Sequence, residues 1–143
     1  MQLPNETLTL IIPGSQNRCF GCGPANDNGL RLEFRRGEDN NVVCLATIPE
    51  TFQSFPGYLH GGIIATLLDE AMSKAVRTLG VTAMTRQMEV DYLRPVPSAK
   101  PIRIEGRLIR SEGRDHWVEA KIVSAKGSIL AQSKGQFVQV RSR

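Results

Sequence analysis

The alternation of hydrophobic and polar residues predicts β segments on either side of a single helix. In LRLEFRR, residues 30–36, Leu30, Leu32 and Phe34 alternate with charged residues, which is the period of a half-buried strand. The turn-like GEDNN and the apolar VVCLATI then follow as its predicted hairpin partner. TLTLII, near the N-terminus, is compatible with one further short strand or turn.

The period changes to that of a helix from Gly61 to about Leu79, and Gly80 supplies a stop signal. One arc of this helix is apolar and contains Ile64, Leu68, Ala71, Ala75 and Leu79. Glu70 falls on the opposite side, so we predict a surface or interface position for it. Asp69 falls at the edge of the apolar region, apart from the solvent-facing charges.

Four more β segments are predicted after the helix: TRQMEVDYLRPV, PIRIEGRLIRS, DHWVEAKIVSA and SILAQSKGQFVQV. Most connections between segments are short enough for hairpins, so the sheet should be largely antiparallel. One helix burying its apolar stripe against such a sheet makes an α+β domain. No linker or internal repeat is visible, and we expect a single domain over residues 1–143.

Composition and charge exclude several classes of protein. The chain is 41% hydrophobic and 22% charged, which argues against disorder. No apolar run approaches the roughly 20 residues needed to span a bilayer, and the N-terminus lacks the features of a signal peptide. The net charge is +4, but the basic residues are scattered and aromatics are few. We therefore expect a cytoplasmic protein with neither a nucleic-acid nor a membrane partner.

Cys19, Cys22 and Cys44 are an odd count, and only the first two form a CxxC pair. A tetrahedral zinc site needs two further ligands, and His60, His116 and Cys44 are not arranged as a spaced pair. CFGCGPANDNGL is typical of turns and not of a redox CxxC that opens a helix. A structural role for the cysteines is favoured, with metal binding or redox chemistry as the alternatives. For His116, structural packing or a hairpin end is favoured.

The stretch YLHGGIIATLLDEA places His60, Gly61 and Gly62 at the start of the helix and Asp69 near its middle. Free N–H groups at a helix start attract anions, and glycine lets a ligand approach the backbone. Thioester hydrolysis needs such donors for the developing oxyanion, and a carboxylate that attacks or activates water. His60 and Asp69 are roughly 13 Å apart along the helix, so one helix cannot supply both groups to one carbonyl. We therefore expect a symmetric dimer in which the helix start of one subunit meets the mid-helix acid of its partner.

HGG with Asp69 nine residues after the histidine, followed by DYLRPVP, resembles the PaaI-type acyl-CoA thioesterases of the hotdog fold. CFGCG…N…GL resembles an N-terminal motif of one subgroup. The resemblance covers essentially the whole chain and implies an antiparallel sheet of five to six strands wrapped around one central helix. We expect a homo-oligomer with the active site at the dimer interface; two subunits are the minimum, and dimer and tetramer both stay open.

Roles follow from this resemblance residue by residue. Asp69 matches the catalytic carboxylate, as nucleophile or general base, and the Gly61 N–H would polarise the thioester carbonyl with help from His60. Thr85 would orient the water or the acid. The family often has Asn or Gln six or seven residues before the histidine; here Ser54 and Gln53 take these positions, and Gln53 can supply the amide.

An acyl-CoA substrate would bring several phosphate charges. The candidate contacts are backbone at Gly62 and the side chains of Arg94, Arg110, Arg114 and Lys126. Thioester cleavage requires neither a metal nor a redox cofactor, and we expect none; CoA enters only as part of the substrate. Two other functions remain open: a non-catalytic acyl-CoA or lipid-binding hotdog protein, and a hydratase or dehydratase on the same fold.

Overall fold

Residues 8–140 form one antiparallel sheet of seven strands with one long helix packed against it. The computed structural model describes residues 8–140. Its strands are β1 (Thr9–Leu10), β2 (Arg35–Arg36), β3 (Asn41–Thr47), β4 (Ala83–Tyr92), β5 (Pro101–Glu112), β6 (Asp115–Ser124) and β7 (Ile129–Gln139). The helix α1 spans Gly61–Arg77, and a short 3₁₀ helix spans Glu50–Phe52.

The strand order is β1-β2-β3-β5-β6-β7-β4, and every neighbouring pair is antiparallel. β4 follows the helix and pairs only with β7, which leaves it at the edge of the described sheet. The predicted α+β fold with one central helix is confirmed. The two-residue β1, within the predicted TLTLII stretch, brings the strand number to seven. Thr7, which begins that stretch, and both chain termini of the predicted domain lie outside the described residues.

The helix forms where the apolar period predicts it, and its buried face contacts the middle of the sheet. Its buried residues are Ile64, Leu67, Leu68, Ala71, Met72, Ala75 and Val76. Ala71 lies so close to β5 that a Cβ on Gly106 would be 2.3 Å from the Ala71 carbonyl oxygen. Leu79 lies beyond the helix and is exposed, and Gly80 reverses the chain with φ +78°. The buried face of α1 therefore includes Met72 and Val76, which the predicted apolar arc left out, and excludes Leu79.

The strand predicted over residues 30–36 is shorter than expected. Leu32 and Phe34 are buried, as the alternation predicts, but only Arg35 and Arg36 pair with β3. Arg31 has φ +51°, and the N–H groups of Leu30 and Leu32 donate to the carbonyls of Phe20 and Gly21 instead of to a strand. The alternation of apolar and polar residues here reflects packing of Leu32 and Phe34 beneath the N-terminal segment, and not the hydrogen-bond ladder of a strand.

No helix in the described part of the chain has the length and hydropathy needed to cross a membrane.

Candidate active site

The start of α1 exposes one unoccupied backbone donor. His60 is the N-cap residue, and its Nδ1 accepts a hydrogen bond from the Gly62 N–H at 2.9 Å. The N–H groups of Ile63 and Ile64 donate to the His60 carbonyl. Among residues 8–140, the Gly61 N–H has no acceptor, so it is the one free donor of the first helical turn. Because Nδ1 accepts, neutral His60 carries its proton on Nε2, as an exposed second donor.

Tyr92, at the end of β4, holds this helix start in place. Its hydroxyl donates to the Gly61 carbonyl at 2.9 Å, and its ring would lie 3.7 Å from a Cβ built on Gly61. Tyr92 was not among the predicted site residues. The signal for it lies in DYLRPVP, which identifies the family but does not indicate which backbone group the tyrosine contacts.

Asp69 and Thr85 form the second group. Asp69 is half-buried on the side of α1 that faces β4, and the Thr85 hydroxyl donates to its Oδ1 at 2.6 Å. Thr85 adjoins an irregularity in the pairing of β4 with β7, between Thr85 and Gln87. The structure therefore brings together the two residues that were predicted as the acid and its orienting hydroxyl.

The helix-start donors and the acid lie apart within one chain. Eight residues separate Gly61 from Asp69, which is about 12 Å of helix rise. A thioester carbonyl bound at the Gly61 N–H would therefore be out of reach of the Asp69 of the same chain. One chain therefore holds the free Gly61 N–H and the Asp69 carboxylate in two separate places.

Gln53 and Ser54 lie on the helix-start side. Gln53 forms an isolated bridge with Leu59, next to His60, and its Oε1 accepts from the Gly57 N–H at 3.4 Å. The Ser54 N–H donates to the Tyr58 carbonyl. Both side chains are exposed, and neither lies with Asp69 in the same chain.

The basic candidates divide between the two ends of the sheet. The Arg94 N–H donates to the Leu130 carbonyl, and Lys126 lies in the β6–β7 turn, so both are at the end that carries Tyr92 and the helix start. Arg110 stacks on Trp117, with 3.6 Å to the ring centroid, and Arg114 donates to the Gln139 carbonyl at the other end. The structure does not bring the four together within one chain.

A groove of about 810 Å³ lies away from these groups. Charged side chains on β5 and β6 line it: Glu105, Arg107, Glu119 and Lys121. Along each strand these residues alternate with the ones that face α1, so they lie on the other side of the sheet. Because they face away from α1, the groove is not a continuation of the Asp69 site.

His116 is buried, as predicted, and its Nδ1 lies 2.7 Å from the Ser111 hydroxyl.

Glu70, predicted to lie at the surface or at an interface, is half-buried. The turn at residues 19–23 covers it, and Cys19 donates to its Oε1 at 3.5 Å. The Lys74 ammonium lies 3.1 Å from Cys22 Sγ. Burial, followed by the charge of Glu70, raises the pKa of the Cys22 thiol to about 11. Cys19, Cys22 and Glu70 are the group in the described residues with metal-ligand spacing, and Glu70 points about 100° around α1 from its neighbour Asp69.

Comparison with known proteins identifies the family of the chain. The family described as the thioesterase superfamily matches residues 56–131, just over half of the chain. The acyl-coenzyme A thioesterase THEM4 of Bos taurus is 28% identical over 80% of this chain and 48% of its own length. The chain thus spans about half the length of this curated relative.

Two solved structures share the fold. The BH2602 protein of Bacillus halodurans, crystallised with CoA, has a TM-score of 0.70 and 27% identity, covering 80% of this chain and 77% of that one. The Escherichia coli PaaI protein has a TM-score of 0.73 and 18% identity, covering 79% and 82%. The Bacillus halodurans protein is similar to this chain in both fold and sequence, whereas the Escherichia coli protein is similar in fold alone. The match of the family model over residues 56–131 establishes that the chain belongs to the thioesterase superfamily.

Proposed function

We propose that this protein is an acyl-CoA thioesterase that hydrolyses an acyl-CoA to a carboxylic acid and CoA. The observation that carries the proposal is the pair of half-sites: a free Gly61 N–H at a helix start, and an Asp69 carboxylate held by Thr85. These are the donor and the acid or nucleophile that acyl transfer to water requires. The family, and the name of the Bos taurus relative, point to the same reaction.

The active unit is a homodimer. Within residues 8–140, β4 is a ten-residue edge strand whose outer side pairs with no other strand, and such an edge readily pairs with another chain. Large hydrophobic residues on β4 and in the loops beside it are exposed: Phe55, Tyr58, Met84, Tyr92 and Leu93. Antiparallel pairing of two β4 strands about a two-fold axis would bury them and bring Asp69 of one protomer towards Gly61 of the other.

The reaction takes place between these halves. The Gly61 N–H, with the His60 Nε2–H beside it, donates to the thioester oxygen and stabilises the negative charge that develops there. Asp69 of the other protomer either attacks the carbonyl carbon or removes a proton from the attacking water. The tetrahedral intermediate then collapses, the C–S bond breaks, and CoA leaves as a thiolate that takes up a proton. Where Asp69 is the nucleophile, this step leaves an acyl–aspartyl anhydride, which water then hydrolyses to the carboxylic acid and the free Asp69 carboxylate. Thr85 fixes one Asp69 oxygen throughout, which limits the orientations of the carboxylate.

The CoA phosphates contact basic side chains at the end of the sheet that carries the helix start. Arg94 and Lys126 suit this role, because within residues 8–140 neither side chain has a hydrogen-bond or ion-pair partner. Arg110 and Arg114, by contrast, already contact Trp117 and the Gln139 carbonyl.

The protein acts in the cytoplasm; cell fractionation with recovery in a membrane pellet would contradict this.

The test is release of free CoA thiol from a panel of acyl-CoAs of different chain length. We expect turnover by the wild-type protein, and a kcat about 10²- to 10⁴-fold lower in Asp69→Asn. Glu38→Gln removes an exposed carboxylate from the β2–β3 turn and should keep the wild-type kcat. Tight acyl-CoA binding without turnover would instead support a non-catalytic binding protein. Equal turnover by Asp69→Asn would refute the assignment of the acid.

A further inference from the structure

The turn at Cys19–Gly23 places two cysteine sulfurs on one side. The Gly23 N–H donates to the Cys19 carbonyl at 2.8 Å, and the Cys19 N–H donates to Asn17 Oδ1 at 2.8 Å. A Cβ on Gly23 would lie 2.3 Å from the Cys19 nitrogen, so the backbone closes on itself in a way that only glycine permits. These backbone contacts and the Asn17 side chain hold the CxxC turn in a fixed shape.

Helix α1 supplies a third donor beneath this turn. The two Sγ atoms and a Glu70 carboxylate oxygen all lie within 4.8 Å of one another. A Cβ on Gly21 would be 2.3 Å from Glu70 Cδ, so the absence of a side chain there allows the carboxylate to reach the sulfurs. Glu70 is 51 residues from Cys19 in sequence, which is why sequence spacing did not indicate it.

The separation of these atoms fits a tetrahedral ion. With Zn–S near ~2.3 Å and Zn–O near ~2.1 Å, tetrahedral ligand atoms of these two kinds lie about 3.6 Å apart. Cys19 Sγ and Glu70 Oε1 are 3.5 Å apart. Little movement would be needed for both to bind one ion.

We propose that Cys19, Cys22 and Glu70 bind one zinc ion, with a solvent molecule as the fourth ligand. Two sulfur donors and one carboxylate favour Zn²⁺ over Mg²⁺ or Ca²⁺, which prefer oxygen ligands. Binding replaces the two thiol protons, which leave to solvent. The three negative charges of the ligands are then balanced by the ion and by the Lys74 ammonium, which stays at Cys22 Sγ as an outer hydrogen-bond donor.

The zinc has a structural role. It joins the N-terminal segment to α1 through Glu70, and the same segment accepts backbone hydrogen bonds from Leu30 and Leu32. None of the three ligands has a role in the proposed hydrolytic chemistry, so this proposal does not rest on the proposed function.

The test uses the full chain, purified in reductant without chelator, dialysed against zinc and then against metal-free buffer. Elemental analysis should give about one zinc per wild-type chain and a clear loss in Cys19→Ser, Cys22→Ser and Glu70→Gln. Cys44→Ala removes the third cysteine, which lies in β3, and should retain the metal. Wild-type zinc no higher than in Cys19→Ser, or a mass two hydrogens lower that shows a Cys19–Cys22 disulfide, would overturn the proposal.

A second measurement keeps the test decisive if the variants fold poorly. In the wild-type protein, zinc should protect Cys19 and Cys22 from alkylation, and a chelator should abolish the protection. Substitution with cobalt should give the thiolate-to-metal charge-transfer absorption of a sulfur-bound ion. Alkylation of both cysteines at the same rate with and without zinc would contradict the site.

Discussion

Replacement of Gly61 by proline removes one N–H group and little else, which makes it a sharp test of the proposed oxyanion donor. Gly61 is the first residue of α1, where proline is tolerated because the N–H has no partner within the helix. The preceding residue, His60, has φ −64° and ψ 140°, the extended conformation that proline imposes on its predecessor. A Cβ at this position meets Tyr92 at an ordinary 3.7 Å.

The expected effect is large on catalysis and small on stability. Loss of one oxyanion donor costs about 10²–10³ in kcat, or about 2.7–4 kcal/mol of transition-state stabilisation. Proline at a compatible position stabilises the fold by about 0.4–1 kcal/mol, through a smaller entropy of the unfolded chain. Gly61→Ala is the matched control, because it keeps the N–H and adds the same Cβ. The assay is CoA thiol release at saturating substrate, with thermal unfolding alongside. If Gly61→Pro retained the kcat of Gly61→Ala, the oxyanion role of this N–H would be refuted.

Three further changes test the surrounding contacts. Thr85→Val removes the hydroxyl that fixes Asp69 and should lower kcat about 10- to 100-fold, with Thr85→Ser restoring it; equal rates for Val and Ser would contradict the orienting role. Tyr92→Phe loses the bond to the Gly61 carbonyl and should lower the free energy of unfolding by about 1 kcal/mol in chemical denaturation, whereas an unchanged value would mean that this bond adds nothing. Burial raises the pKa of the Cys44 thiol from 9.0 to about 12, so its contribution to stability is full below pH 9.0 and is lost as the pH rises towards 12. Between about pH 8 and about pH 10 the wild type should lose ~1.4 kcal/mol more than Cys44→Ala, and a parallel decline would refute the assignment.

The sequence predicts α1 and the later strands well because their signals are local. The apolar residues from Ile64 to Val76 repeat at helical spacing, His60 can cap the first turn, and Gly80 takes the left-handed conformation that ends it. The alternation in β5 to β7 matches one buried and one solvent-facing side of a sheet. The family spacing in the sequence also pointed to Asp69 and Thr85, whose side chains are in contact in the structure.

The remaining features depend on contacts between distant parts of the chain. A helical projection gives the direction of Glu70 but not the turn at residues 19–23 that covers it. Alternation at Leu32 and Phe34 predicts burial correctly, yet it cannot tell a strand from a segment packed beneath another loop. Tyr92 reaches Gly61 across 31 residues, a contact that no local pattern contains.

The most direct test of the shared active site is a heterodimer of Gly61→Pro with Asp69→Asn, purified through a different tag on each protomer. Each parent homodimer lacks one half of both sites, whereas the heterodimer contains one complete site, built from the intact Gly61 of one chain and the intact Asp69 of the other. It should therefore recover roughly half of the activity of a doubly tagged wild-type dimer. Activity no higher than that of the two parent homodimers would contradict a site shared between protomers.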